Sequence, residues 1–328
     1  MGIKPMQLAI ILLLIATLSV CSMYYIYTYR GNIRYTSWSE YFRKGWPIFA
    51  PLNCLLYLFS CKKVRRPIID TLQYKELDVL RDNWEIIRDE ALALQQQGDL
   101  ENINKPGSDA YYDVGFRTFH KYGWRKFYVK WYGYTHTSAQ TMCPKTTEIL
   151  SKIKNINGAM FAFMPANSEL TRHLDPVACS LRYHLGLETP NSDDCFINID
   201  GEQYAWRDGK DLLFDETYLH FVKNNTDQSR LILMCDFDRP VNPLGKIINF
   251  CYKILMRASI VPNTSDDKSG LANKIFKTVT PLLEQSKVLK QTNRKAYKRL
   301  KYTVNSLLLL AIAGIIVGVV QLISWSFF

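Results

Sequence analysis

The sequence predicts a mainly β domain, a sandwich or a double-sheet jelly roll with flanking helices, tethered by an apolar helix at each end. Three observations carry this. From Trp124 onward apolar residues recur with a period near two, in short runs. Asp200-Gly201 and Asp208-Gly209 are turn dipeptides of the kind that join antiparallel strands. Both ends of the 328-residue chain carry long apolar runs.

The ends come first. No charged residue occurs in 5–29, and 8–20 is almost wholly aliphatic. About 20 apolar residues cross a bilayer as a helix, so this run is long enough. No small-x-small cleavage site follows it; Met23-Tyr24-Tyr25-Ile26-Tyr27 does, an aromatic stretch suited to a membrane interface. The run 304–325 is apolar apart from Asn305, Ser306, Gln321 and Ser324. Transmembrane helices are therefore expected in 1–29 and 303–328.

Charge orients them. Arg30, Arg34, Arg43 and Lys44 follow the first span, and seven Lys or Arg residues between Lys287 and Lys301 precede the last, with no acid among them. The positive-inside rule then places 30–302 in the cytoplasm of a multi-pass inner-membrane protein. Much of the net charge of +11 is topology signal and contact with anionic lipid in the bilayer. No basic stripe falls inside the folded region, which argues against nucleic acid. The eight cysteines are scattered with no Cys-x-x-Cys pair, as in a protein with reduced thiols facing the cytosol.

Between the spans, 30–66 reads as a basic juxtamembrane and interfacial segment. Its apolar part, 46–61, is short for a span and contains Pro47 and Pro51. A soluble helix is expected over 75–97 and another over 137–154. Strands are expected at 126–132, 159–164, 180–187, 195–199, 203–206, 211–215, 219–222 and 231–237, within a folded domain over 67–240. The region 241–302 reads as amphipathic and basic juxtamembrane helices. Leu244, Ile247, Ile248, Cys251, Tyr252, Leu255 and Met256 fall on one helical stripe, suited to the domain surface or to the membrane interface.

The chemistry lies between Arg172 and Arg230. His173 and Asp175 are two apart, so in extended chain both side chains project the same way. With His220 from a later strand they make two imidazoles and one carboxylate, the set that occupies one face of Fe(II) and leaves open positions. Each histidine alone is more often structural; the combination on successive strands is specific. Arg230, ten residues after His220, suits a planar grip on a dicarboxylate co-substrate. Arg182 and His184 are also two apart and face the interior, with Leu181, Tyr183 and Leu185 on the opposite face.

Three stretches carry a family resemblance: Ser180-Leu181-Arg182-Tyr183-His184-Leu185-Gly186-Leu187, Tyr204-Ala205-Trp206-Arg207-Asp208-Gly209, and Phe214-Asp215-Glu216-Thr217-Tyr218-Leu219-His220. They resemble the aspartyl/asparaginyl β-hydroxylases, and within that family the bacterial lipid A fatty-acyl 2-hydroxylases. The resemblance is strongest over 158–240. It implies a double-stranded β-helix (jelly roll) using Fe(II), 2-oxoglutarate and O2. It implies that His173 and His220 ligate iron and that Arg182, His184 and Arg230 hold 2-oxoglutarate. Asp175 stands where animal members carry Gly, so its role as third ligand rests on the triad chemistry. The implied reaction is hydroxylation of C-2 of a lipid A acyl chain. Alternatives are the same chemistry on an ornithine lipid or a peptide Asp/Asn, or a non-catalytic binding protein on the same fold.

Overall fold

The structure, a computed structural model, describes residues 5–326 apart from 114, 117, 118, 120 and 121. It divides into two compact units, Ser22–Phe276 and the pair of segments Met1–Cys21 and Lys277–Phe328. Helix α1 (Pro5–Thr28) enters the larger unit with its last turns. There follow α2 (Trp38–Lys44), α3 (Ala50–Phe59), α4 (Asp78–Asp82), α5 (Trp84–Gln96), α6 (Asp99–Asn104), α7 (Thr137–Met142) and α8 (Pro144–Ser151).

Among the described residues, eleven strands form two antiparallel sheets. The larger is built from β1 (Ile68–Ile69), β2 (Arg125–Trp131), β3 (Tyr134–Thr135), β4 (Ile156–Met164), β6 (Ser180–Glu188), β9 (Asp211–Phe214) and β11 (Arg230–Asp238). The smaller holds β5 (Ser168–His173), β7 (Cys195–Ile199), β8 (Glu202–Ala205) and β10 (His220–Asn224). Spatial order is β1-β9-β6-β11-β4-β2-β3 in one and β5-β10-β7-β8 in the other. From β4 to β11 the chain passes between the sheets six times, which is the jelly roll.

Alternation sorts the side chains. Leu181, Tyr183, Leu185 and Leu187 point to the outer face of the large sheet, where Leu80, Ile87, Ala91 and Leu94 of α4 and α5 cover them. Burying each such leucine contributes about 1.5–3 kcal/mol before entropy is counted. Met160, Ala162, Met164, Leu212, Phe214, Ile232 and Met234 point inward and meet Cys195, Ile197, Ile199 and Val222 of the small sheet. Arg182, His184 and Arg230 share that inward face by the same period of two.

The expected turn at Asp200-Gly201 is present, with φ of 52° and 99°, as a two-residue hairpin between β7 and β8 requires. Gly186 is required for another reason: a Cβ there would lie 2.1 Å from the Arg207 carbonyl oxygen. Other expectations are corrected. The helix expected over 75–97 is interrupted at Asn83, whose side-chain amide donates to the Val79 carbonyl and ends α4. The one over 137–154 is broken by Pro144, which has no N–H to continue α7. Strand β5 was not expected: Ser-Glu-Leu-Thr-Arg-His lacks apolar alternation, and the strand lies at a sheet edge, half exposed.

After the roll comes α9 (Pro243–Met256), capped by Asn242, which accepts from Gly245 N. It divides the expected stripe. Ile248, Tyr252 and Met256 turn toward the domain, while Leu244, Ile247, Cys251 and Leu255 are exposed.

In the smaller unit, α10 (Leu271–Thr292) reaches from the larger one and α11 (Arg294–Ser326) follows. Among the described residues, Ala9–Thr28 is the helix long and apolar enough to cross a membrane. The second expected span, 303–328, is helical to Ser326; most of its side chains lie outside the described residues.

Candidate metal and co-substrate site

Register builds the metal set. Strands β5 and β10 pair so that His173 and His220 are direct partners, their ring centroids 4.2 Å apart. Asp175 sits just past the end of β5, placed by its N–H, which donates to the Glu216 carbonyl. One ligand atom from each of His173, Asp175 and His220 lies within 4.8 Å of the others. The sequence brought these three together by spacing, and the fold does so in space.

The imidazoles are oriented alike. His173 Nδ1 lies 2.8 Å from the Thr171 carbonyl oxygen and His220 Nδ1 lies 2.9 Å from that of Tyr218. A carbonyl only accepts, so each Nδ1 carries the hydrogen and each Nε2 is left with its lone pair. Burial and the neighbouring His173 push His220 down to about 4, so it is neutral and able to ligate at neutral pH. This backing of a ligand by a hydrogen bond from its other nitrogen is the usual support for a metal histidine.

Asp175 is held by Arg182, whose Nη2 donates to Oδ2 at 3.1 Å. Arg182 has further partners: Nε donates to Glu216 Oε2 at 2.6 Å, and Nη1 lies 2.7 Å from Asp236 Oδ1. Three carboxylates around one guanidinium cannot all stay charged at no cost. Burial, with Asp175 and Asp236 nearby, raises Glu216 well above the usual carboxylate range, whereas Arg182 and the two histidines outweigh burial and depress Asp175. A proton on this cluster is thus favoured at Glu216 over Asp175, which suits Asp175 to ligate a metal. Arg182, expected to hold 2-oxoglutarate, has its fork among Asp175, Glu216 and Asp236 in this structure.

Arg230 and His184 differ. Arg230 is 1% exposed, and its Nε and Nη2 have no hydrogen-bond partner. Its guanidinium lies over Trp206 at 4.3 Å and Trp124 at 5.0 Å. Desolvation pushes it down to about 10. Both ring nitrogens of His184 and the indole nitrogen of Trp206 are also buried without partners. Burial, with Arg230 next in importance, holds His184 well below its ordinary value, so it is neutral. Buried polar groups are nearly always paired, and an unpaired buried cation is costly. With His184 neutral, four of these five nitrogens are donors without a protein partner, a set suited to a carboxylate such as those of 2-oxoglutarate.

Sequence reasoning missed Glu216, Asp236 and Trp206. A signal existed for Asp236, which shares the inward face of β11 with Arg230 at a spacing of six. Leu174 and Leu219, each next to a ligand in the sequence, line a small cleft with Ile26, Tyr35 and Arg34.

Comparison with known proteins finds similar hydroxylases. Residues 81–240 match the Aspartyl/Asparaginyl beta-hydroxylase family model, and all six expected site residues lie inside the match. An ornithine lipid ester-linked acyl 2-hydroxylase of Rhizobium tropici is 32% identical over 151 residues, covering 46% of this chain and 52% of that protein. Human aspartyl/asparaginyl beta-hydroxylase is 28% identical over 172 residues, covering 49% of this chain and 21% of that one. The chain thus spans about half the length of the first relative and about a fifth of the second. A Pseudomonas putida prolyl-4-hydroxylase structure shares 16% identity over 49% of this chain and 87% of its own, with a TM-score of 0.32. Residues 81–240 are thus similar to the aspartyl/asparaginyl β-hydroxylases.

Proposed function

We propose that this protein is an Fe(II)- and 2-oxoglutarate-dependent dioxygenase that places a hydroxyl on C-2 of an acyl chain of a membrane lipid, with lipid A as the substrate. The observation that carries the reading is the orphaned Arg230–His184–Trp206 cradle beside a three-ligand set. His173, Asp175 and His220 would hold iron; Arg230, His184 and Trp206 would hold the co-substrate carboxylate. Bound together, iron and 2-oxoglutarate would supply O2 activation, with succinate and CO2 as by-products. The chain's own residues do the rest by geometry. Thr171 and Tyr218 carbonyls fix the imidazoles, Arg182 fixes Asp175 in its ionised form, and the Trp124 and Trp206 rings keep water from Arg230. Excluding water strengthens each charge–dipole contact in the cradle.

The apolar helix Ala9–Thr28 and the relative acting on an ornithine lipid support an amphiphilic substrate. That relative also favours a second reading, an ornithine lipid in place of lipid A. Mass spectrometry of lipid extracts from cells with and without the protein separates them. The proposal expects a gain of one oxygen on a lipid A acyl chain, lost in a His220→Ala strain. The same gain on an ornithine lipid alone selects the second reading, and no oxygen gain on any lipid overturns both.

A further inference from the structure

We propose that α3 and α9 form a lipid-facing platform that seats the larger unit on a bilayer surface, with the metal-site loop lying directly on the platform's inner face. This deepens the acyl-lipid reading and rests on it for the substrate, though the surface itself is argued from other residues. On α9, Leu244, Ile247, Phe250, Ile254 and Leu255 are 47–71% exposed, along with Cys251, at spacings that trace one side of the helix. On α3, which packs against α9, Leu55 and Leu58 are exposed at 39% and 66%. Trp46 and Ile48, just before α3, add to this face. A contiguous apolar surface of this kind marks an interaction site. Exposed Lys62, Lys63, Arg66 and Lys246 rim it, as an anionic lipid surface favours.

The occupant is lipid because of what stands next to α3. The last turns of α1 pack in the same cluster as Leu56, Tyr57, Ile248 and Tyr252, and Cys54 Sγ of α3 lies 4.0 Å from the Ser22 carbonyl of α1. That helix is the one whose Ala9–Thr28 is fit to cross a membrane. Tyr24, Tyr25, Trp38 and Trp46 are exposed around its exit, an aromatic collar at interface depth. A bilayer that holds α1 thus meets α3 and α9 at its surface.

The inner faces of the two helices reach the metal site. Asn53 of α3 donates to the Pro176 carbonyl at 3.0 Å and accepts from Ala178 N at 2.9 Å. Asn249 of α9 donates to the Cys179 carbonyl at 3.3 Å. Both asparagines hold the segment that follows Asp175, so the platform places the ligand loop and the lipid surface on opposite sides of one helix layer.

The test uses the full-length wild-type protein in vesicles of phosphatidylethanolamine and phosphatidylglycerol. The vesicles contain a lipid with a diazirine either near the head of its acyl chain or at the chain end. After illumination, adducts are mapped by mass spectrometry, with α1 as the lipid-embedded reference and α8 as the aqueous one. The platform expects adducts from the shallow probe on α9 and α3 at least about fivefold above α8, and few from the deep probe, as for an interfacial helix. Adducts on α1 alone would mean water or protein covers this face, and overturn the platform. Equal labelling of α9 by both probes would mean an embedded segment and overturn surface seating. Neither readout depends on iron, 2-oxoglutarate or turnover, so failure here is separate from failure of the proposed reaction.

Discussion

Arg230 is a buried cation whose opposite charge is missing. The Asp236 carboxylate that a local salt bridge would use is already engaged by Arg182 and by Tyr132, whose hydroxyl donates to Asp236 Oδ2 at 3.0 Å. The cradle therefore costs stability in the ligand-free protein, and an apolar residue of similar length should relieve that cost. Arg230→Met is expected to raise the apo melting temperature while abolishing 2-oxoglutarate turnover. Added 2-oxoglutarate should stabilise the wild type by about 2.7 kcal/mol at a hundredfold excess over its dissociation constant and leave the variant unmoved. Arg230→Lys keeps charge but loses the planar fork, so its KM for 2-oxoglutarate should rise. Thermal shift with and without 2-oxoglutarate decides; a lower apo melting temperature in Arg230→Met would make Arg230 a structural residue. At this scale the ligand set was legible because His-x-Asp and a distant His have a recognisable chemistry. The difference in partners between Arg182 and Arg230 was not, since two arginines on one inward face differ only in which acids the neighbouring strands and loops bring.

The elements that frame the site are tied by two acids that both precede β10 in the chain. Asp200, before it, accepts from Asn32 N at 2.6 Å and Ile33 N at 2.9 Å, so the segment after α1 is stapled at one end of the strand. Asp215 accepts from Arg30 at 2.6 Å and lies 2.7 Å from Arg239 Nη2, with Thr217 N donating at 3.0 Å. Burial alone would raise Asp215, but Arg239 and Arg30 outweigh it and hold the carboxyl down to about 2. A folded value below the unfolded one means the native state binds the proton less readily. The stability it contributes is then full above about pH 4 and is lost as pH falls toward 2. Asp215→Asn leaves two guanidiniums unpaired and should cost about 3–5 kcal/mol at pH 7. Its urea midpoint should also fall less steeply than that of the wild type between pH 4 and 2; parallel acid limbs would contradict this account. Strand β5 escaped the sequence because burial, the source of apolar alternation, is missing at an exposed edge. Strands β6 and β11 were legible because every residue of their central turns must choose a buried face.

At the scale of the whole chain, the apolar helix Ala9–Thr28 was readable because length and composition alone define it, whereas the way α9 divides its stripe between domain and surface was not. An apolar stripe wide enough to pack on the domain and meet lipid looks, in sequence, like a single face. The charge rules of a bilayer make a topology prediction. Arg30, Arg34, Arg43 and Lys44 follow the apolar helix, which places the larger unit in the cytoplasm. Burial pushes the Cys143 and Cys235 thiols above the ordinary range, where they are inert. Gly107 is a suitable reporter site, since it lies in an exposed loop with φ of 88° and nothing within 4 Å of where a Cβ would stand. A green fluorescent protein inserted there should fluoresce, and alkaline phosphatase at the same position should be inactive. Active phosphatase would put the ligand set outside the compartment that supplies Fe(II) and 2-oxoglutarate, and the reaction proposed for His173, Asp175 and His220 would lose its co-substrate along with its orientation.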